Sequence, residues 1–226
     1  MECQDGCVTS LRMDVLKQVA ELVPAAVGED CVRVAVDGVD GSGKTVFADE
    51  LAEMLRSLGK YVVRVSVDDF HNVRGTRYRR GRLSPEGFWL DSFNYDRLHA
   101  DVLTPLGPGG SRRYRSAAHD LITDEILDPE YDVAPPGAVL VADGLFLHRD
   151  ELADAWEFSV FLDVPFEITV ARMAARDGTN PDPEHPTIQR YVGAQQLYFK
   201  SCSPHRRATL VIDNTTFATP RLLEQR

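Results

Sequence analysis

The chain has 226 residues, a formal net charge of −10 and a hydrophobic fraction of 43%, which suits one α/β domain with a substantial core. The acidic balance argues against nucleic acid as the main partner, and no apolar run is long enough to cross a bilayer, so no membrane association is expected. Four cysteines (Cys3, Cys7, Cys31, Cys202) form no C-x-x-C pair and Met1 to Asp5 lacks the basic-then-apolar order of a leader, so reduced thiols in a cytoplasm are the expectation.

Ser10 reads as the N-cap of a helix spanning 10–23, with Leu11, Val15, Val19, Leu22 and Val23 on one face and Pro24 and Gly28 closing it. An apolar strand from Cys31 to Val36 follows. It runs into Gly38-Val39-Asp40-Gly41-Ser42-Gly43-Lys44-Thr45, a match to G-x-x-x-x-G-K-[ST]. A helix from Lys44 to Leu58 then buries Phe47, Leu51, Met54, Leu55 and Leu58, and Gly59 ends it. Between a strand and a helix, this loop has the arrangement that phosphate binding needs. Its glycines let successive N–H groups converge on an anion, and the helix N-terminus adds its positive end. Gly38, Asp40, Gly41, Ser42, Gly43, Lys44, Thr45 and Val46 are therefore the candidate nucleotide contacts. Lys44 would reach the β- and γ-phosphates, and the Thr45 hydroxyl would serve Mg²⁺.

Strand two, Tyr61 to Val67, ends in Asp68-Asp69-Phe70-His71, at the position where open α/β sheets bind ligands. Segment 72–137 reads as an insertion: a loop to Gly87, a helix from Tyr95 to Leu103, a turn at Thr104 to Gly110, and a short strand or ordered loop from Tyr114 to Ile122. From His71 to Arg115 there are nine arginines, four acids and no lysine. That window carries +5 and leaves −15 on the rest. Ala138 to Asp143 is an apolar strand ending in a carboxylate, a position that organises Mg²⁺ in phosphate-loop enzymes. A strand from Glu157, a helix from Phe166 to Arg176, a Pro-rich segment (177–186) with the composition of a lid, a helix from Thr187 to Phe199 and a last strand from Ala208 to Ile212 complete the chain. There is no internal repeat or domain linker, so 1–226 is read as one domain.

GVDGSGKT, VSVDDFH, SPEGFWLDSFNYDRL, VLVADGLFL, VFLDVPFEITVARMAARD and VIDNT, spanning Val34 to Thr215, together resemble the uridine kinase–phosphoribulokinase–pantothenate kinase group. The resemblance implies a three-layer P-loop NTPase fold, α/β, with a mostly parallel sheet, helices on both faces and a lid. It also implies ATP and Mg²⁺ as cofactors and a small-molecule alcohol as acceptor. By resemblance Asp68 takes the proton of the acceptor hydroxyl, with Asp69 as second choice, and a carboxylate there both orients and accepts. Asp68 and Asp143 also stand as metal candidates with Thr45. Arg172 and Arg176 resemble the arginines that meet the transferring phosphoryl group. The lid itself holds no arginine, so Arg190 or one of the Arg74–Arg82 cluster is the alternative. Asn214 is carried over as a neighbour of adenine, and Asp91, Tyr114 and His119 as acceptor contacts.

Uridine or cytidine is the default acceptor from the resemblance. The arginine excess instead favours a carboxylate or phosphate, as in pantothenate or a sugar phosphate, with Arg77 and Arg80 as contacts; a solvated face pairing with the acidic body is the plain reading of the same residues. A regulatory GTPase would need N-K-x-D, which does not occur. A nucleotide-binding module without transfer activity is the other rival, and homo-oligomerisation stays open.

Overall fold

The computed structural model describes residues 4–226, with side chains from Leu11 onward. Helices α1 (Gln4–Leu22), α2 (Lys44–Ser57), α3 (Arg74–Arg77), α4 (Pro85–Asp91), α5 (Tyr95–Leu98), α6 (Phe166–Asp177), α7 (Pro186–Cys202) and α8 (Pro204–Arg207) accompany eight strands. These are β1 (Val32–Gly38), β2 (Val62–Ser66), β3 (Arg113–Tyr114), β4 (Asp132–Val133), β5 (Val139–Gly144), β6 (Phe158–Asp163), β7 (Leu210–Asp213) and β8 (Arg221–Gln225). The main sheet has the order β2-β5-β1-β6-β7-β8. It is parallel throughout except for the β7–β8 pair, the P-loop kinase fold.

The central strands are apolar on both faces because helices or insertions cover both. Side chains alternate between faces along each strand. Val34, Val36, Val139, Val141, Val160 and Leu162 pack with Phe47, Leu51 and Leu55 of α2 and with Leu16 and Val19 of α1. Ala35, Leu140, Ala142, Phe161 and Val211 face the other way, against Phe70, Phe88, Phe93, Leu98, Phe146 and Tyr198. Much of segment 72–137 is thus part of the second core layer. A third cluster (Val170, Met173, Ile188, Val192) joins α6 to α7 on either side of the Pro-rich stretch.

Several local expectations are corrected. Helix α1 already begins at Gln4, so Ser10 lies within it and is not its N-cap; the side chains of Cys3 and Cys7 are outside the described residues. Helix α4 crosses what read as the end of a loop. Ser84 caps it by accepting a hydrogen bond from Gly87 N, and Pro85 occupies its first turn. Helix α5 continues as a π-helical turn over His99–Leu103. Strand β8 was not anticipated: it is a mostly exposed edge, of which only Leu222 packs against the core. Cys31 and Cys202 are free, buried thiols.

Beneath the phosphate loop lies a polar network that the sequence did not announce. Asp37, fully buried at the end of β1, accepts hydrogen bonds from Gly38 N (2.7 Å), His148 Nδ1 (2.7 Å) and the Tyr198 hydroxyl. With Nδ1–H donating, His148 Nε2 accepts from Ser159 Oγ at 2.9 Å, the tautomer that satisfies every partner. A carboxylate buried this deeply is tolerable only when such donors surround it. Tyr198→Phe deletes one charge-assisted donor and is expected to lower unfolding free energy by about 1.5–3 kcal/mol, measured by urea titration; a change within error would mean that the remaining donors suffice.

Candidate active site

The register of the parallel strands gathers the predicted residues at one end of the sheet. Val36 pairs with Asp143, and Ser66 pairs with Asp143 from the other side. The phosphate loop, Asp143 and the Asp68 turn therefore emerge together. Thr45 Oγ1 donates to Asp143 Oδ2 at 2.7 Å, and Arg64 holds Asp143 Oδ1 at 3.0 Å. Two glycines are required by geometry. Gly41 (φ 75°) and Gly43 (φ 90°) are left-handed, and a Cβ would drive the first into Thr169 O and the second into the Phe217 ring. The Lys44 ammonium donates to Val39 O at 3.0 Å, curled within its own loop.

A cavity of about 520 Å³ opens over the loop, lined by Gly41, Lys44, Thr45, Arg172, Arg176 and Phe217 among others. Arg172 donates to Thr215 O (2.7 Å), Asn214 O (3.1 Å) and Gly41 O (3.3 Å), and lies 4.0 Å over the Phe217 ring. Arg176 pairs with Asp177 at 2.7 Å. A second cavity of about 340 Å³ adjoins the first, with His71, Arg77, Tyr78, Phe88, Arg190 and Tyr191 in its wall. Asp40 and Asp68 line both cavities. They stand at the junction.

The junction is electrostatically tuned. Desolvation by the surrounding protein raises the Asp68 carboxyl above its ordinary range even though it faces the open pocket, with Lys44 pulling it back and Asp143 pushing it further up. Burial raises Asp40 as well, again opposed by Lys44. Asp69 is raised by burial and then by Asp68. Burial pushes His71 down to about 4, so its ring is neutral. Its Nδ1–H donates to Asp68 O at 2.7 Å, which leaves Nε2 as an acceptor for a hydroxyl.

Not every predicted contact reaches a cavity. Asp91 is 1% exposed, and Arg79 and Arg80 (2.9 Å) take both its oxygens. Arg79 above all holds its carboxyl below the usual range. It anchors α4 instead of meeting a ligand, and Arg80 is occupied by the same pairing. Tyr114 packs into the core from β3. His119 is buried behind the pocket, 3.1 Å from Asp124, which also holds Arg77. Asn214 is fully buried and donates to Ser42 O at 2.7 Å, bracing the loop from below; Phe217, three residues on, is the side chain that reaches the cavity. Gly38 and Ser42 likewise shape the loop from underneath. The sequence reading passed over His71, Tyr78, Tyr191 and Phe217. A period-3.6 count along α7 finds Tyr191 only as one more half-apolar position.

Among the described residues no cluster of three or more His, Cys, Asp or Glu side chains forms a metal cage. Thr45 with Asp143 and the nearby Asp68 is an all-oxygen set, and it suits a magnesium ion that takes its remaining ligands from phosphates and water.

The family model described as Phosphoribulokinase / Uridine kinase matches residues 33–186, more than half of the chain. The chain belongs to that family. A uridine kinase of Shewanella piezotolerans is 28% identical over 66% of this chain and 70% of its own length. A thymidylate kinase of Xylella fastidiosa is 30% identical over 82% of this chain and 80% of its own, and a phosphoribulokinase of Synechocystis is 25% identical over 74% of this chain and 48% of its own. In fold, the chain is similar to a possible uridine kinase from Bacillus stearothermophilus, with a TM-score of 0.69 at 23% identity covering 88% of this chain and 96% of that one. Family membership makes the chain a kinase, hence a phosphotransferase. Among the described residues no helix is long and apolar enough to cross a membrane.

The depressed His71 pKa has a measurable consequence. The ring binds a proton near 6.5 when unfolded and near 4 when folded, so the unfolded state holds more protons between those values. Stability from the neutral ring is complete above pH 6.5 and is lost as pH falls toward 4, by no more than about 3.5 kcal/mol. Urea midpoints taken from pH 7 to 4.5 are expected to fall more steeply for the wild type than for His71→Asn, and parallel curves would contradict the assignment.

Proposed function

We propose that the chain is an ATP-dependent, Mg²⁺-assisted kinase that transfers a γ-phosphoryl group to the hydroxyl of a small molecule. The observation that carries this reading is the position of Asp68, which lines both the phosphate-loop cavity and its neighbour. An acceptor in the second cavity can then point a hydroxyl at a nucleotide in the first, with a carboxylate beside the reacting oxygen.

In this reading the backbone N–H groups of Gly41 to Lys44 and the α2 N-terminus bind the phosphate tail. Lys44 leaves Val39 O for the phosphates, and Arg172 and Arg176 offset charge as it spreads over the equatorial oxygens. Thr45 and Asp143, with Asp68 close by, would hold Mg²⁺, which when bound supplies charge neutralisation between the β- and γ-phosphates. Asp68 accepts the acceptor's hydroxyl proton as the new O–P bond forms, and the electron pair of the breaking bond leaves with ADP. His71 Nε2 can accept from a neighbouring hydroxyl, and Asp40 is a second acid at the same place. Segment 178–185, between α6 and α7, would close over the phosphates as a lid.

For the acceptor, the names of the relatives divide between an uncharged nucleoside, uridine, and the phosphorylated compounds phosphoribulose and thymidylate. Tyr78, Phe88, Phe93 and Tyr191 give the second cavity aromatic walls; rings alone do not choose between a nucleoside and an anionic alcohol, so uridine, cytidine and anionic alcohols are assayed side by side. An idle nucleotide-binding module is the competing reading, and neither paired cavities nor Asp68 at their junction would be needed for it.

Asp68→Asn is expected to lower kcat for acceptor-dependent ADP release by about 10²–10⁴-fold, while nucleotide affinity, read by calorimetry, shifts much less. The wild-type kcat/KM should fall on the acid side through a pKa above the ordinary carboxylate range, because protonated Asp68 cannot accept. Full activity in Asp68→Asn, or slow ATP hydrolysis that no acceptor stimulates, would refute the assignment.

A further inference from the structure

The second cavity is bipolar. Asp40 and Asp68 lie with Lys44 and Arg176 at the end facing the phosphate loop. Arg190 lies over the Tyr78 and Tyr191 rings, Arg77 lies over the same Tyr78 ring, and His71 lines the cavity with them. Arg74, exposed at the rim, adds a third guanidinium.

Arg190 is the unusual member. Five described arginines are at least nine-tenths buried: Arg12, Arg33, Arg77, Arg149 and Arg190. The first four each have an acidic partner, namely Glu50, Glu157, Asp124 and Glu151. Arg190, 5% exposed, has none among the described residues; it donates to Arg82 O at 2.8 Å and lies 4.9 and 5.0 Å from the Tyr78 and Phe88 ring centroids. Arg77 is only half answered: one contact of 3.2 Å to Asp124, and a buried Nε without a partner. Burying a guanidinium with no counter-charge is costly. Arg190 with none and Arg77 with a single acidic contact share one cavity wall, near enough to repel each other, and leave a place for an anion.

We propose that Arg190 and Arg77 form an anion clamp, and that the acceptor is a small alcohol whose carboxylate or phosphate group occupies the clamp while its hydroxyl reaches Asp68. The planar guanidinium forks suit either anion, and the aromatic rings that hold Arg190 keep its fork pre-organised. A cavity of about 340 Å³ accommodates a compact molecule of this kind. The alcohol half of the proposal rests on the kinase reading above; the clamp does not.

The test is a panel of matched acceptors with Mg²⁺-ATP, read by ADP release: glycerate against glycerol, pantothenate against pantothenol, ribulose 5-phosphate against ribulose, with uridine and cytidine alongside. An anionic member is expected to exceed its neutral twin and both nucleosides by at least about 100-fold in kcat/KM, and Arg190→Gln should raise KM for it by about 10–100-fold with kcat much less affected. Arg190→Lys should recover part of that loss. Which pair responds separates a carboxylate from a phosphate. Preference for uridine, cytidine or any neutral twin overturns the clamp and leaves the kinase reading intact. If nothing in the panel releases ADP, calorimetry decides with inorganic phosphate and malonate on protein saturated with Mg²⁺ and a non-hydrolysable ATP analogue, which occupies the loop. Uptake that disappears in Arg190→Gln and in Arg77→Gln, both checked for an unchanged melting profile, supports the clamp and turns the failure onto the kinase reading. No uptake by the wild type overturns the clamp itself.

Discussion

Parallel pairing of β1 with β5, and of β5 with β2, is the constraint from which the rest of the site follows. In that register Val36, Asp143 and Ser66 stand abreast, so three chain segments turn off the sheet at one level. A phosphate loop, a carboxylate on its threonine and a second acidic turn are thereby delivered to one crevice from positions about a hundred residues apart in the chain. Slipping one strand by a single residue would point every alternate side chain to the wrong face. The apolar alternation on both sides of the sheet holds the register, and so the packing of the core sets the precision of the site.

That delivery concentrates acid at the head of the sheet. Asp37, Asp40, Asp68 and Asp143 are all there, managed in three ways. Asp37 is surrounded by donors and serves as a buried brace. Asp143 is tied to Thr45 and Arg64. Asp40 and Asp68 are left without such partners, close to Lys44, and burial raises them both. Asp37 belongs to the scaffold and Asp143 is held in place beside Thr45; the two acids without partners line both cavities. This contrast underlies the choice of Asp68 as the proposed base.

The arginines divide in the same manner. Arg79, Arg80, Arg97, Arg112 and Arg115 neutralise acids within the protein, so much of the positive window between His71 and Arg115 is structural pairing. What is left over is small and localised. Arg172, with no acidic partner among the described residues, and Arg176, held only by its exposed neighbour Asp177, border the loop cavity, while Arg190, also with none, and Arg77, with one contact to Asp124, border its neighbour. Charge relevant to ligands is the charge the fold leaves unanswered, not the charge the composition counts.

The phosphate loop, its flanking strand and helix, the apolar β5 and β6 and the paired acids at strand ends were all legible in the sequence. Each depends on short-range rules: backbone freedom at glycine, periodicity, and the chemistry of a contiguous motif. Asp91 read as a ligand and proved to be a buried anchor for Arg79 and Arg80; Asn214 read as a base neighbour and proved to brace Ser42. Arg190 read as one alternative for the lid, and its proximity to Arg77 across more than a hundred residues emerged only when α7 packed against α4. The sequence by itself determined the central strands, the helices α2, α6 and α7 between them, and a loop whose motif fits phosphate. Only the tertiary structure decided which charged side chains are neutralised, because a partner's identity depends on contacts between distant segments, and a charge becomes available to a ligand only where folding provides no partner of its own.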